Sequence, residues 1–428
     1  MELKTLAGRS FLRLNRRNWP FWTALLVELL LMSRRTQGQQ VIGSVPTAPE
    51  TPPALQPFAN SEMDVFVPAG AVPGAQPVQP FRYKFLTFRP HVDYQFLYGT
   101  GILANPGQPE DTFIQEIAPG LRLDIGDHWV LDYTPIWTFY SNNQFHNAFG
   151  QTAALTGGTV YGSWVLGLAQ NYSDTSQPQA ETGTQTREQI FGTTVNGTYT
   201  MNSKMSLDLA LLQSFNTAES LQSYREWETI DWLNYHFGDR FNIGLGLGVG
   251  YDNPDASPNM LFEQYLGRIR WRATDKISFQ VHGGVEDRQF LSGGYSDLLT
   301  PVYGAGIQYQ PFEYTQISLN ADRTVEVSVF QNQITENVGF DANLHQRLFG
   351  KLFLDIDGGY QNIQYITASN NSSSVRTDDY SFLNTALSTA FLTRGRVSIF
   401  YRLNNDSSTA PGFSYTSQQV GFEISFAY

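Results

Sequence analysis

Arg268-Ile269-Arg270-Trp271-Arg272-Ala273-Thr274-Asp275-Lys276-Ile277-Ser278-Phe279-Gln280-Val281-His282 reads as two strands joined by a three-residue turn. Side chains on a strand alternate between its two faces. Folding the stretch about Thr274-Asp275-Lys276 sets Trp271 against Phe279 and Ile269 against Val281 on one face. It sets Arg272 against Ser278, Arg270 against Gln280 and Arg268 against His282 on the other. A slip of one residue would mix the two sets, so pattern and turn together specify one register, with one apolar and one wet face.

The same construction recurs along the chain. Gly126-Asp127-His128 brings Ile125 to Trp129 and Leu123 to Leu131; Asn202-Ser203-Lys204 brings Tyr199 to Leu207 and Phe191 to Phe215. Gly238-Asp239-Arg240 pairs Tyr235 with Ile243 and Leu233 with Leu245, and Phe349-Gly350-Lys351 pairs Leu348 with Leu352 and Leu344 with Ile356. Pro311-Phe312-Glu313 is expected to pair Ile307 with Ile317. Thr393-Arg394-Gly395 is expected to pair Phe391 with Val397 and Leu387 with Tyr401, and Gly157-Gly158 to form a two-residue turn pairing Leu155 with Val160.

These eight hairpins, with one strand before them (residues 88–98) and one after (residues 415–428), predict about 18 strands, within a range of 16–18. The remaining connections are longer and polar: residues 99–111, 141–147, 173–187, 217–222, 252–259, 289–300, 326–331, 367–378 and 404–414. Tight and long connections alternate throughout. That alternation, with one greasy face on each strand, predicts an all-β fold: a transmembrane antiparallel up-and-down β-barrel with short turns at one end and long loops at the other.

Composition agrees. The chain has 428 residues, 41% hydrophobic and 14% aromatic, with no cysteine. Beyond the N-terminus no apolar run reaches the length of about 18 residues that a membrane helix needs. A barrel hides from hydropathy because half of each strand is polar. Without cysteine there is no disulfide framework and no thiolate chemistry.

Arg9, Arg13, Arg16 and Arg17 precede an apolar run from Trp19 to Met32, the layout of an export signal, with cleavage expected near residues 37–40. Removing residues 1–40 takes away seven basic and two acidic residues, so the net charge moves from −12 to −17. That average repels nucleic acid. Residues 41–82 are rich in Pro, Ala, Gly and Gln, a linker composition that cannot build a core. The barrel is assigned to residues 83–428.

Over residues 83–428 the chain resembles an outer-membrane β-barrel of the porin type found in diderm bacteria. The resemblance rests on hairpins such as Pro119-Gly120-Leu121-Arg122-Leu123-Asp124-Ile125-Gly126-Asp127-His128-Trp129-Val130-Leu131-Asp132-Tyr133 and on the alternating final strand, with Val420, Phe422, Ile424, Phe426 and Tyr428 on one face. It implies that this strand resembles the signal read by the barrel-assembly machinery. It also implies an outer-membrane location, lipid and small polar solutes as partners, no cofactor, and self-association left open. It brings no particular solute with it. A barrel of 16–18 strands leaves an aqueous channel, so diffusion of small polar solutes is the expected activity. The alternatives are a barrel that exports or anchors a polymer, and a plugged structural or adhesion barrel.

Candidate pore-lining residues follow from strand parity. Arg268, Arg270 and Arg272 form an inward ladder, read either as an anion-attracting patch or as struts paired with inward acids; His282 and Glu286 share their face. Asp341, Asp355 and Asp357, with His345 and Arg347, make an acidic counterpart in which His345 stands opposite Asp355, an ion pair rather than a metal site. Arg122 opposite Asp132 reads as a wall ion pair. The alternating glycines of Gly244-Leu245-Gly246-Leu247-Gly248-Val249-Gly250 lie within a strand, so they make room for inward neighbours such as Trp232 rather than a nucleotide loop. The six histidines are scattered and no Ser/His/Asp set can be assembled, so no enzymatic activity is expected.

Overall fold

The computed structural model describes residues 81–427, apart from 180, 220, 293–294, 368–373 and 393. The export signal and almost all of the Pro-rich segment therefore lie outside the described residues, as does Tyr428. The strands are β1 (Phe81–Tyr83), β2 (Leu86–Asn105), β3 (Gln108–Ile125), β4 (Trp129–Tyr140), β5 (Ala148–Tyr161), β6 (Trp164–Gln179), β7 (Thr184–Thr200), β8 (Met205–Ala218), β9 (Tyr224–His236) and β10 (Phe241–Pro254). They continue with β11 (Met260–Arg272), β12 (Ile277–Phe290), β13 (Leu298–Phe312), β14 (Thr315–Val327), β15 (Gln333–Leu348), β16 (Leu352–Thr367), β17 (Ser374–Phe391), β18 (Gly395–Ser408) and β19 (Tyr415–Ala427). Among the described residues there is no helix.

Each strand from β2 to β19 pairs antiparallel with its sequence neighbours, and β19 returns to β2 from Gln418↔Thr100 through Phe422↔Phe96 to Ala427↔His91. The result is a closed ring of 18 strands. Closure removes the two edges that an open sheet would expose. The stub β1 straddles the boundary between the segment read as linker and the barrel. It pairs Phe81 with Phe88 and Tyr83 with Leu86, taking up the β2 edge beyond the point where β19 ends.

Most expected registers hold, including Trp271↔Phe279, Arg268↔His282, Leu233↔Leu245, Phe191↔Phe215, Leu123↔Leu131 and His345↔Asp355. Three turns differ. The β5–β6 turn is Gly162-Ser163 rather than Gly157-Gly158, so Leu155 pairs with Gln170. Gly162 supplies the positive φ of that turn (59°), while Gly157 sits within β5 beneath the Trp129 indole. After Tyr309 the β13–β14 ladder shifts through an irregularity around Pro311, which has no N–H to donate, and Ile307 pairs with Leu319. The β17–β18 hairpin is two residues tighter than expected: Phe391 pairs with Gly395 and Leu387 with Ile399. The Phe391 ring lies against Gly395, where any side chain would obstruct it.

The long connections are also shorter than the sequence suggests. β2 and β3 run on to a two-residue turn, Pro106-Gly107, where a loop of residues 99–111 is predicted. β6 and β7 likewise consume most of residues 173–187. Backbone groups in these segments find ladder partners in place of water.

Facing follows parity. On β10, Leu245 is 72% exposed and Leu247 and Val249 are also exposed, whereas Gly244, Gly248 and Gly250 are buried on the inner face. Outward aromatics form two belts. Phe191, Phe215, Trp227 and Tyr251 contact one another in series at 6.2, 5.4 and 6.0 Å toward the loop end. Trp164–Tyr199 at 4.9 Å, Tyr235–Phe237 at 4.6 Å and Trp271–Phe279 at 5.4 Å mark the turn end. Trp227 and Tyr235 are eight residues apart on one strand, which at about 3.3 Å per residue and a tilt of about 40° separates the belts by ~20 Å. That is close to the apolar band of outer-membrane barrels. Between the belts Asp231 faces outward beside Leu247, and its carboxylate accepts from the Thr229 hydroxyl at 3.3 Å.

Parity makes a direct prediction. Leu245→Arg places a charge on the outer face between the belts and costs about 2–4 kcal/mol in a bilayer; Asn343→Lys places one on the inner face opposite Asp357. In urea unfolding from lipid vesicles the first variant loses stability by that amount and the second does not. Equal losses would show that the outer face does not meet lipid.

Candidate functional site

A circular ring of 18 strands spaced about 4.8 Å apart and tilted about 40° is ~35 Å across. Side chains alone do not fill that width, so what lines the wall and what covers the ends decides function. One stretch of wall is built on β10, whose inward positions are glycines. Phe262 lies across Gly250, the Gln264 carboxamide over Gly248, Trp232 over Gly246, and Arg268 with Asn234 over Gly244. The strand thus forms a shallow trough in which large side chains of β9 and β11 lie flat.

Arg268 is fixed there. Its Nη2 donates to Asp208 at 2.6 Å and to Asn234 at 2.7 Å, and its guanidinium stands 4.2 Å from the Trp232 ring centre. This is the strut arrangement rather than a free charge facing the pore. Arg270 pairs in register with Gln280, and Arg272 donates to the Asp239 carbonyl at 2.9 Å near the turn end. The three arginines therefore descend the wall in different settings. His282 is buried with its ring against Gly304. Glu286 accepts from Arg288 at 2.8 Å and from Gln264 at 2.9 Å.

The acidic residues of the opposite set share the wall from β14 to β17. Asp341 accepts from Asn320 at 2.9 Å and Asp357 from Asn384 at 3.3 Å. His345 Nδ1 and Asp355 meet at 2.5 Å, with Arg396 at 3.9 Å from the same carboxylate. Arg347 turns away to the Gly350 carbonyl at 2.6 Å and the Tyr314 ring at 5.0 Å. Arg122 and Asp132 are opposite in register, but Arg122 donates along its own strand to Asp124 at 3.0 Å. Asp132 is instead taken by His91 and Thr134. In β19, Val420, Phe422, Ile424 and Phe426 face outward as expected.

Sequence reading missed the closure at the loop end. Residues there reach across the mouth. Gln222, between β8 and β9, donates through its backbone N–H to Val329 O and through Nε2 to Ser328 O, both at 3.0 Å, although those partners lie between β14 and β15. Ser257, between β10 and β11, donates to Gln222 and accepts from the Asn332 N–H at 2.6 Å. The β2–β3 tip leans on nearby connections: Gly107 N–H donates to Gly412 O at 2.6 Å, Pro106 lies against Gly183, and Leu103 packs with Tyr380 and Tyr415.

The β6–β7, β14–β15 and β18–β19 connections converge on Arg376 of β17, which is 6% exposed. Its guanidinium lies 3.9 Å from the Phe413 ring centre, 4.7 Å from Tyr365 and 5.8 Å from Phe330. It donates to Asp378 at 2.8 Å and to the Glu181 carbonyl at 2.9 Å. One cation thereby ties the β6–β7, β14–β15 and β18–β19 connections together as a lid. Arg376 falls in a stretch the sequence assigns to a loop, and no local periodicity marks it.

No protein-family model matches the chain, and no curated protein matches it. Among solved structures, the siderophore receptor PirA from Pseudomonas aeruginosa is similar at 8% identity, covering 83% of this chain and 81% of its own, with a TM-score of 0.43. OpdO from the same organism is similar at 12% identity, with 80% and 97% covered and a TM-score of 0.43. For OccK2 (OpdF) of that organism the values are 8%, 82%, 99% and 0.45. At these scores the likenesses add nothing to the strand pairing itself, on which the fold rests.

Removing Arg376 removes three cation–π contacts, worth about 0.5–1 kcal/mol each, together with an ion pair. Arg376→Ala therefore loosens the lid and raises the passage of small solutes in vesicle swelling; unchanged swelling would show that the mouth is not held there. A second test uses Glu181. Burial pushes its carboxyl up to about 7, with Arg376 opposing that shift. The closed lid thus holds a proton that an opened one releases. Its stabilisation is complete below the ordinary carboxylate value of about 4.3 and is lost as pH rises through about 7. Swelling rates rise from pH 5 to pH 8, and Glu181→Gln flattens the profile; a flat profile in the unmodified protein would contradict the assignment.

Proposed function

We propose that the chain is an outer-membrane channel that passes small polar solutes by diffusion, with the lid at the external mouth. The single observation that supports this best is a closed ring of 18 strands, apolar outside between two aromatic belts and polar inside. In this reading residues 1–40 direct export, the linker of residues 41–82 lies in the periplasm, and β19 serves the assembly machinery. The mechanism needs no catalytic group. Solute would enter past the lid and diffuse along walls carrying fixed ion pairs and amides, with acids prominent from β9 to β17.

The runner-up is a plugged barrel with a structural or adhesive task. The observation in its favour is the lid, which spans the mouth through hydrogen bonds between connections far apart around the ring. Recording from the purified protein in a planar bilayer decides between them. A channel gives discrete conductance steps, larger in Arg376→Ala; silence from both proteins supports the plugged barrel. Orientation has its own test. A cysteine at Asp255, on a connection of the loop end, labels with an impermeant maleimide on intact cells, and one at Asp275, on a turn, does not. The reverse pattern would invert the topology.

A further inference from the structure

The inner wall near the loop end carries more acidic groups than its basic neighbours can pair. Glu226 and Glu228 on β9, Asp252 on β10, Glu286 on β12 and Glu326 on β14 share one electrostatic neighbourhood, in which Arg288 is the basic group acting on Glu226, Glu228 and Glu326. Arg288 spends its bonds on Glu286 at 2.8 Å, on one oxygen of Asp252 at 2.9 Å and on the Val325 carbonyl at 3.0 Å. Glu228 is 2% exposed, and neither of its carboxylate oxygens has a hydrogen-bond partner; the second oxygen of Asp252 has none either. A carboxylate buried in that state is costly unless a proton or a cation neutralises it.

An uncharged group makes the same point independently. Gln264 is 4% exposed, and its amide nitrogen donates to Glu286 while its carbonyl oxygen has no partner. That oxygen lies over Gly248, whose β9 partner is Ile230, one inward position along β9 from Glu228. Beside it the Phe262 ring lies flat across Gly250 and already carries the Arg288 guanidinium at 4.7 Å. Unpaired carboxyl oxygens, an unpaired carbonyl and an aromatic face are the acceptors that an ammonium or guanidinium group uses. Among the described residues no three acids or histidines stand close enough to hold a metal ion.

We propose that this wall is a binding site for small organic cations bearing an ammonium or guanidinium group, with Glu228 and Gln264 as its principal acceptors. As a statement about which solutes the lumen favours, it rests on the channel reading; as a binding site, it can be tested without conduction.

The test uses the full chain folded in detergent and agmatine as the probe, with malonate as the anionic control. Agmatine at millimolar concentration raises the melting temperature and malonate does not. Glu228→Gln weakens the apparent affinity by about tenfold, the loss expected for one charge-assisted bond. Gln264→Leu, which leaves the charge untouched, weakens it also, and stands in if the first variant does not fold. Asp341→Asn, on the other acidic wall, leaves it unchanged. In a planar bilayer agmatine lowers the potassium current of the unmodified protein, and less so in either site variant. Conductance without any agmatine shift overturns the site and leaves the channel reading intact. An agmatine shift without conductance supports the site and overturns the channel. Equal shifts in the unmodified protein and both variants overturn the assignment of these residues.

Discussion

The structure depends on pairing the last strand with the first strand of the ring. In a bilayer every backbone N–H and C=O must find its partner within the protein. A sheet of this size left open would present two long edges to hydrocarbon. The β19–β2 ladder, running from Gln418↔Thr100 to Ala427↔His91, removes both. Register carries the same constraint into the side chains. Because parity is conserved around the ring, closing it in this register also closes the outer apolar surface, from Phe422 beside Phe96 to Trp227 beside Tyr251.

Inside, the problem is reversed. Inward side chains must be satisfied without a compact core, and the wall solves this locally. The β10 glycines let Trp232, Phe262 and Arg268 lie flat, so that Arg268 reaches Asp208 and Asn234 while stacking on Trp232. Where such matching is complete the wall is a strut. Where it is incomplete, as around Glu228, buried oxygens are left without partners. The lid works on the same logic at the mouth: Arg376 joins three connections because each offers it a ring or a carbonyl.

Much of this was legible in the sequence, and the failures have physical causes. Hairpins such as 268–282 could be read to the residue because period-two patterning and turn length over-determine the register. The Gly157-Gly158 turn was misplaced because glycine serves both tight turns and close packing, and only the Trp129 indole tells them apart. The hairpins at Pro311 and Thr393 slipped by two residues, a shift that preserves parity and so leaves no trace in the pattern. Inward placement of Arg268 was readable, but its pairing with Asp208, which comes from β8 across two strands, was not. Arg288 shares the parity of Glu286 and His282 and could have been found by extending that row. Arg376 could not, since its partners Phe330, Phe413 and Glu181 meet only once the ring has closed.

The closure of that ring can be measured directly, because the chain has no cysteine of its own. Gln95 on β2 and Glu423 on β19 are register partners on the inner face. Cysteines at these two positions, oxidised in native membranes and followed by mobility on a non-reducing gel, are predicted to form an intramolecular disulfide in high yield. The pair offset by two residues, Gln95 with Gly421, is predicted not to cross-link. Cross-linking of the offset pair, or of neither, would contradict the closed 18-stranded ring and everything argued from it.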